Sequence, residues 1–180
     1  MAFIWRLLPE TTDIMKGNDA FLDIIAKTLT RRCETLAVAE SVTSGNLQVA
    51  FSSAKKATEF FQGGITAYNT GQKSRHLHVD PIEAERTNCV SEKISRSMAQ
   101  EVCRMFSSNW GIAITGYAAP VPALNIRNKL FAWYAIALNG RILVSKKIET
   151  KRIAMDKAQH YYTSVLLKDL AAIATGLKQP

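Results

Sequence analysis

Three residues of this sequence combine types and spacings suited to attack on a carbonyl group: Ser41, Tyr68 and Lys73. Ser41 follows the short apolar run 35–39 (Thr-Leu-Ala-Val-Ala), with Val42, Thr43, Ser44 and Gly45 opening the next expected helix. A hydroxyl at such a strand exit projects past the sheet edge toward backbone N–H groups, which is where a nucleophile belongs. Tyr68 lies 27 residues further on, at the end of a second extended run, and Lys73 follows in the first turns of another helix. Both can face the same crevice. A lysine acts as base toward a serine only when neutral, and at its unperturbed pKa of about 10.4 only about one molecule in 2,500 is neutral at pH 7. Burial or a nearby cation must therefore depress that pKa, with Tyr68 relaying the proton or orienting the amine. Each residue also has a plainer reading: Ser41 or Thr43 as a helix cap, Tyr68 as a packing ring, Lys73 as a solvated side chain. Only the combination points to catalysis.

The elements that must position these groups are legible in the apolar periodicity. Asn18 can cap a helix in which Phe21, Leu22, Ile25 and Leu29 recur at helical spacing up to Arg31 and Arg32. The run 35–39 reads as a strand buried on both faces. Thr43 or Ser44 can cap a helix through Leu47, Val49 and Phe51, and 60–69 resumes an extended pattern. Asn69 or Thr70 opens a short helix, Pro81 begins another, and Ser91 with Glu92 starts a longer one with Ile94, Met98, Val102 and Met105 as its apolar stripe. Residues 110–116 form a second buried strand, followed by a loop punctuated by Pro120, Pro122 and Asn125. Strands at 130–138 and 142–150 flank Asn139-Gly140, a strong hairpin signal, and a final helix is expected to turn Ala154, Ala158, Tyr161, Val165, Leu170 and Ile173 inward. This alternation predicts a layered α/β fold whose sheet is mixed by one antiparallel pair.

Composition narrows the function classes. The chain has 180 residues, 47% hydrophobic and 21% charged, which suits one globular domain and excludes disordered, fibrous and disulfide-dense classes. Twenty-three Lys+Arg against 15 Asp+Glu give a net charge of +8, which invites an anionic partner. The basic residues are spread over every segment rather than gathered on one recognition helix, so a nucleic acid is not the expected partner. Cys33, Cys89 and Cys103 are too far apart in sequence for a paired metal motif and read as reduced thiols, mostly in the core. His76 and His78 stand two apart, where helix side chains do not meet. Residues 1–8 are interrupted by Arg6 and stopped by Pro9, unlike a secretory leader, and no run reaches membrane-spanning length. A cytoplasmic protein without membrane partner is expected, with residues 1–18 as an extension and 19–180 as the domain.

Leu36-Ala-Val-Ala-Glu-Ser41-Val-Thr-Ser-Gly45, Phe61-Gln-Gly-Gly-Ile-Thr-Ala-Tyr68 with Lys73, Cys89-Val-Ser91-Glu92 and Ile112-Ala-Ile-Thr-Gly116 together resemble the C-terminal domain of the competence/damage-inducible protein CinA. That domain also exists as a stand-alone nicotinamide-nucleotide amidase. The resemblance implies a three-layer α/β/α sandwich with a mixed, mostly parallel sheet of about five strands, and self-association into a homo-oligomer. It also implies hydrolysis of the carboxamide of nicotinamide mononucleotide to nicotinic acid mononucleotide and ammonia, without metal or redox cofactor. Ser41 would attack the carboxamide carbon, Lys73 would take its proton and return one to departing ammonia, and Tyr68 would assist. Glu40, Thr43, Ser44, Gly45, Thr115, Gly116 and Lys129 would surround the substrate, with amides near 43–45 as oxyanion donors.

The sequence departs from the family in two places that bear on phosphate. A Thr-Gly-x-Ala-Gly-Pro segment with further glycines becomes Thr115-Gly-Tyr-Ala-Ala-Pro120-Val-Pro122, and a Lys-Pro-Val-Gly-Thr run becomes Lys129-Leu-Phe-Ala-Trp133. Glycine amides can approach an anion closely, and proline has no N–H to offer. Two alternatives follow. Either the substrate preference has changed, with Tyr117, Arg127 or Lys129 compensating, or the fold is kept as a non-catalytic nucleotide-binding or scaffold protein.

Overall fold

The computed structural model describes residues 11–177, with side chains from residue 17 onward. The 1–8 segment, and with it the reading that it is no leader, lies outside the described residues. In chain order the elements are α1 (Thr11–Arg32), β1 (Leu36–Glu40), α2 (Asn46–Ser52), α3 (Ala57–Phe60), β2 (Phe61–Thr66), α4 (Thr70–Leu77), α5 (Pro81–Thr87), α6 (Glu92–Met105), β3 (Trp110–Gly116), β4 (Lys129–Leu138), β5 (Arg141–Lys151) and α7 (Met155–Gly176). The strands form one sheet in the order β2-β1-β3-β4-β5. β1 runs parallel to both β2 and β3, and β4 is antiparallel to its two neighbours, β3 and β5. Four of the five strands therefore point the same way.

The two faces of the sheet are built from residues of different size. Along β1, Leu36 and Val38 point to one side with Ile112, Ile114 and Ile136, and are covered by α1, α2 and α7. Ala37 and Ala39 point to the other with Ala113, Ala135 and Ala137, and are covered by α6. Small side chains let α6 lie close, and at Gly111 a Cβ would stand 2.0 Å from the Ala99 carbonyl oxygen. The result is helices on both faces of a mixed sheet, the three-layer architecture expected.

Local signals explain most boundaries. The Asn69 side chain accepts from the Gln72 amide, Asp80 from Ile82, and Ser91 from Ile94, so α4, α5 and α6 begin where the sequence places their caps. The hairpin turns through Asn139 and Gly140, both at positive φ, which Asn and Gly tolerate best. Three expectations are corrected. The first helix does not start at Asn18 but runs back to Thr11. The α2 helix begins at Asn46, after a left-handed Gly45, with no cap from Thr43 or Ser44. In α7 it is Tyr162, not Tyr161, that is fully buried, because the helix packs against both α1 and the sheet and so carries an apolar surface wider than one stripe. Among the described residues no helix is long and apolar enough to cross a membrane.

Candidate functional site

The carboxyl ends of β1, β2 and β3 surround a cavity of about 350 Å³. β1 sits between strands reached in opposite directions, β2 by way of α2 and β3 by way of α4 to α6, and ligands of open α/β sheets lie at such reversals. Ser41 and Val42 enter from the end of β1, Tyr68 to Lys73 from β2 and the start of α4, Thr115 to Ala119 from the end of β3, and Met155 and Gln159 from α7. The Ser41 amide donates to the Ile114 carbonyl (3.1 Å) and the Ala67 amide to the Glu40 carbonyl (2.9 Å), extending the ladders and fixing where each chain leaves the sheet.

The segment after Ser41 is held by a carboxylate rather than by hydroxyl caps. Glu40 is 0% exposed, and its side chain accepts from the Thr43 hydroxyl (2.6 Å) and the amides of Gly45 (3.2 Å), Leu47 (3.0 Å) and Gln48 (2.9 Å). Those donors are the orphan N–H groups of the α2 start, so the positive end of α2 is satisfied from within the protein. The Ser44 amide donates to the Ser41 carbonyl (3.2 Å). Neither it nor the Gly45 amide is available to a substrate oxyanion. From α7, the Gln159 side-chain amide donates to the Val42 carbonyl (2.9 Å) and the Ser44 hydroxyl (3.1 Å), tying the loop down from outside.

From the start of α4, Asn69, Thr70 and Lys73 line the same cavity as Ser41. Lys73 is 3% exposed, and burial pulls its ammonium below its ordinary pKa; a negative charge on Cys89 would act in the opposite direction. Among the described residues its side chain makes no hydrogen bond or ion pair. Cys89 is also buried, with its sulfur 3.1 Å from the Thr70 hydroxyl. Asn88 and Cys89 both have positive φ (49° and 59°), a rare conformation for two successive residues with side chains. They are held by the Cys89 amide donating to Ala84 (2.8 Å) and the Thr115 hydroxyl donating to the Cys89 carbonyl (2.8 Å). Tyr117 completes the rim, its hydroxyl accepting from the Asn88 side chain (3.1 Å) and its ring meeting Phe131 edge-on.

The cavity thus brings together Ser41, Tyr68, Lys73, Thr115 and Gly116 of the residues singled out from the sequence. Ser41 is 6% exposed, whereas Tyr68 is 71% exposed and stands at the mouth. Thr115 is engaged with the Cys89 carbonyl, and Gly116 is glycine because a Cβ would stand 2.5 Å from Ala132 Cα on β4. Glu40, Thr43, Ser44 and Gly45 do not line the cavity but build the loop behind Ser41, and Lys129 is an exposed residue at the start of β4, also outside it. Asn88 and Gln159, which the spacing argument does not single out, do line it. Gln159 is reached only through tertiary structure, but the sequence neighbourhood of Asn88 and Cys89 just before the Ser91 cap was a usable signal.

Residues 18–171 match the family model of the CinA C-terminal domain. The chain belongs to that family. Among curated relatives, a CinA-like protein of Prochlorococcus marinus is 40% identical over 106 residues, 58% of this chain and 25% of the relative. A CinA-like protein of Thermosynechococcus vestitus is 34% identical over 127 residues, 70% of this chain and 30% of the relative. The chain therefore spans about a quarter to a third of the length of the relatives it matches. Among solved structures, a competence-damaged protein (CinA) superfamily protein from Klebsiella pneumoniae superposes with a TM-score of 0.79 at 19% identity, covering 89% of this chain and 99% of that one. A competence or damage-inducible protein from Enterobacter asburiae gives 0.76 at 24% identity, covering 87% and 98%. These likenesses establish a shared CinA fold.

Proposed function

We propose that this CinA-domain protein is an amidohydrolase that removes ammonia from the carboxamide of nicotinamide mononucleotide, with Ser41 as nucleophile and Lys73 as base. The observation that supports it best is that a serine hydroxyl and a lysine amine, each more than nine-tenths buried, open on one cavity, with the lysine pulled toward its neutral form. The Ser41 hydroxyl loses its proton to Lys73 as its oxygen bonds to the carboxamide carbon. The tetrahedral intermediate collapses with cleavage of the C–N bond, and Lys73 returns the proton so that the leaving group departs as ammonia. Water then hydrolyses the ester on Ser41 by the same route, releasing the carboxylic acid. Since the Ser44 and Gly45 amides are engaged, the oxyanion donor falls to the Val42 amide, on the cavity wall next to the nucleophile. Tyr68, at the mouth, covers the bound ring rather than relaying a proton inside.

The test is ammonia release from nicotinamide mononucleotide by the purified chain and by Ser41→Ala. Turnover that Ser41→Ala lowers about 1,000-fold or more supports the proposal, in line with the loss of other serine nucleophiles. Binding of the nucleotide without turnover would favour a non-catalytic binding protein on the same fold.

A further inference from the structure

The cavity beside Ser41 is almost free of charge. Among the described residues that line it, Lys73 alone is cationic, and none is anionic. Arg75, Arg127 and Lys129 do not border it. The α2 start is filled by the Glu40 carboxylate, and the first turn of α4 is capped by the Asn69 side chain. The loop after β3 offers Ala118, Ala119 and Val121 with Pro120 among them. A phosphate dianion drawn into such a place loses its hydration and, among the described residues, finds no arginine and no free helix start in exchange.

Lys73 cannot make up the difference. The same nitrogen cannot be both the neutral base that activates Ser41 and the ammonium that neutralises a phosphate. An N-glycosylated pyridine ring is itself a cation, which a nearby ammonium repels and which the face of an aromatic ring attracts. Two tyrosines stand where such a ring would enter. Tyr117 is fixed by its contact with Phe131, ring centres 5.3 Å apart at 71°, and by the Asn88 bond to its hydroxyl, while Tyr68 is on the same rim. At about 350 Å³ the cavity lies within the range of ligand pockets and admits the ring with its carboxamide.

Resting on the amidase reading above, we propose that the site selects the carboxamide-bearing pyridinium ring, held against Tyr68 and Tyr117, and leaves the 5′-phosphate in solvent. The protein then accepts the dephosphorylated riboside as readily as the mononucleotide.

Ammonia release is compared for nicotinamide riboside and nicotinamide mononucleotide with the full chain, at low and at high salt. The expected kcat/KM values agree within about threefold, and neither falls as salt is added, because no phosphate contact is there to be screened. A preference of about tenfold or more for the mononucleotide, or a preference that disappears at high salt, overturns the proposal. If neither compound releases ammonia, the amidase reading fails, and equilibrium binding of the same two compounds decides the question of phosphate. Equal affinities support the proposal; mononucleotide binding about tenfold tighter, or no binding of either, overturns it. Tyr117→Ala is expected to weaken both compounds by the same factor of about tenfold, and an effect confined to the mononucleotide would count against the ring-held mode.

Discussion

Two buried charged residues, Lys73 on the cavity wall and Glu40 behind the loop that carries Ser41, are treated differently by the protein. Glu40, at the end of β1, accepts four hydrogen bonds and is wholly absorbed into the start of α2. Lys73, on α4, is buried almost as deeply but has no fixed partner among the described residues. A buried charge that is fully bonded stabilises its surroundings, whereas one left without partners tends toward its neutral form and destabilises the fold that holds it. On the proposed function, the difference separates a residue retained for architecture from one retained for reactivity, and it is open to direct attack.

The largest effect should come from Lys73→Met. Loss of a general base lowers kcat by about 100- to 10,000-fold, while thermal and urea unfolding of the variant should show stability unchanged or raised, because an unpartnered amine has been removed from the interior. A variant that loses stability as well as activity would place Lys73 with Glu40 as a structural residue. Glu40→Ala should show the reverse emphasis. It leaves the donors at the α2 start without an acceptor, and at about 1–3 kcal/mol for each buried group left unsatisfied, the two fully buried donors, the Thr43 hydroxyl and the Leu47 amide, predict a loss of about 2–6 kcal/mol in urea unfolding. Turnover per folded molecule should fall less than in Lys73→Met.

pH sharpens the contrast further. In the unfolded chain Lys73 holds its proton up to its ordinary pKa of 10.5, and in the folded protein burial makes it release the proton earlier. Between those two pKa values the unfolded state binds more protons, so stability rises with pH across that window. Urea midpoints of the wild type should therefore climb relative to Lys73→Met from neutral toward alkaline pH, and kcat/KM should rise with pH below 10.5 as the amine becomes neutral. Parallel midpoints in the two proteins would sink the account. The smallest effect is expected from Gln159→Ala, which removes the tie from α7 to the loop after Ser41: about 1 kcal/mol in stability, with a drop in kcat that exceeds any change in KM.

The contrast between these two residues also marks what a sequence can show. Where a cap is a side chain bonded within three residues, as with Asn69 and Ser91, it is readable, because the residue type and the helix start lie side by side. Glu40 escapes that reading. Its reach to Leu47 and Gln48 depends on a backbone path through Ser44 and Gly45 at positive φ, and the hydroxyls that follow it make a more obvious but incorrect cap. Ser41, Tyr68 and Lys73 are legible as a group because Ser41 and Tyr68 sit just past strand ends and Lys73 in the first turn of the helix that follows, and parallel strands deliver their ends to one edge. Gln159 was not, since it meets the Val42 carbonyl from 117 residues away. Lys129 was placed near the substrate by motif position alone, and β4 carries it away from the cavity.

The bonds made by Glu40 carry one more consequence, which concerns the order of assembly. Its partners all lie within eight residues of it in the chain. Contacts of such short range close loops at little entropic cost and can form early. The opposite walls of the cavity come from β3, α4 and α7, joined by contacts of long range such as that of Gln159. On this topology the turn held by Glu40 can take shape early, whereas Ser41 is fixed only once its amide meets Ile114 on β3 and Gln159 docks from α7. On the amidase reading, a nascent chain would thus hold this turn early but remain chemically silent until β3 has paired and the last helix has docked.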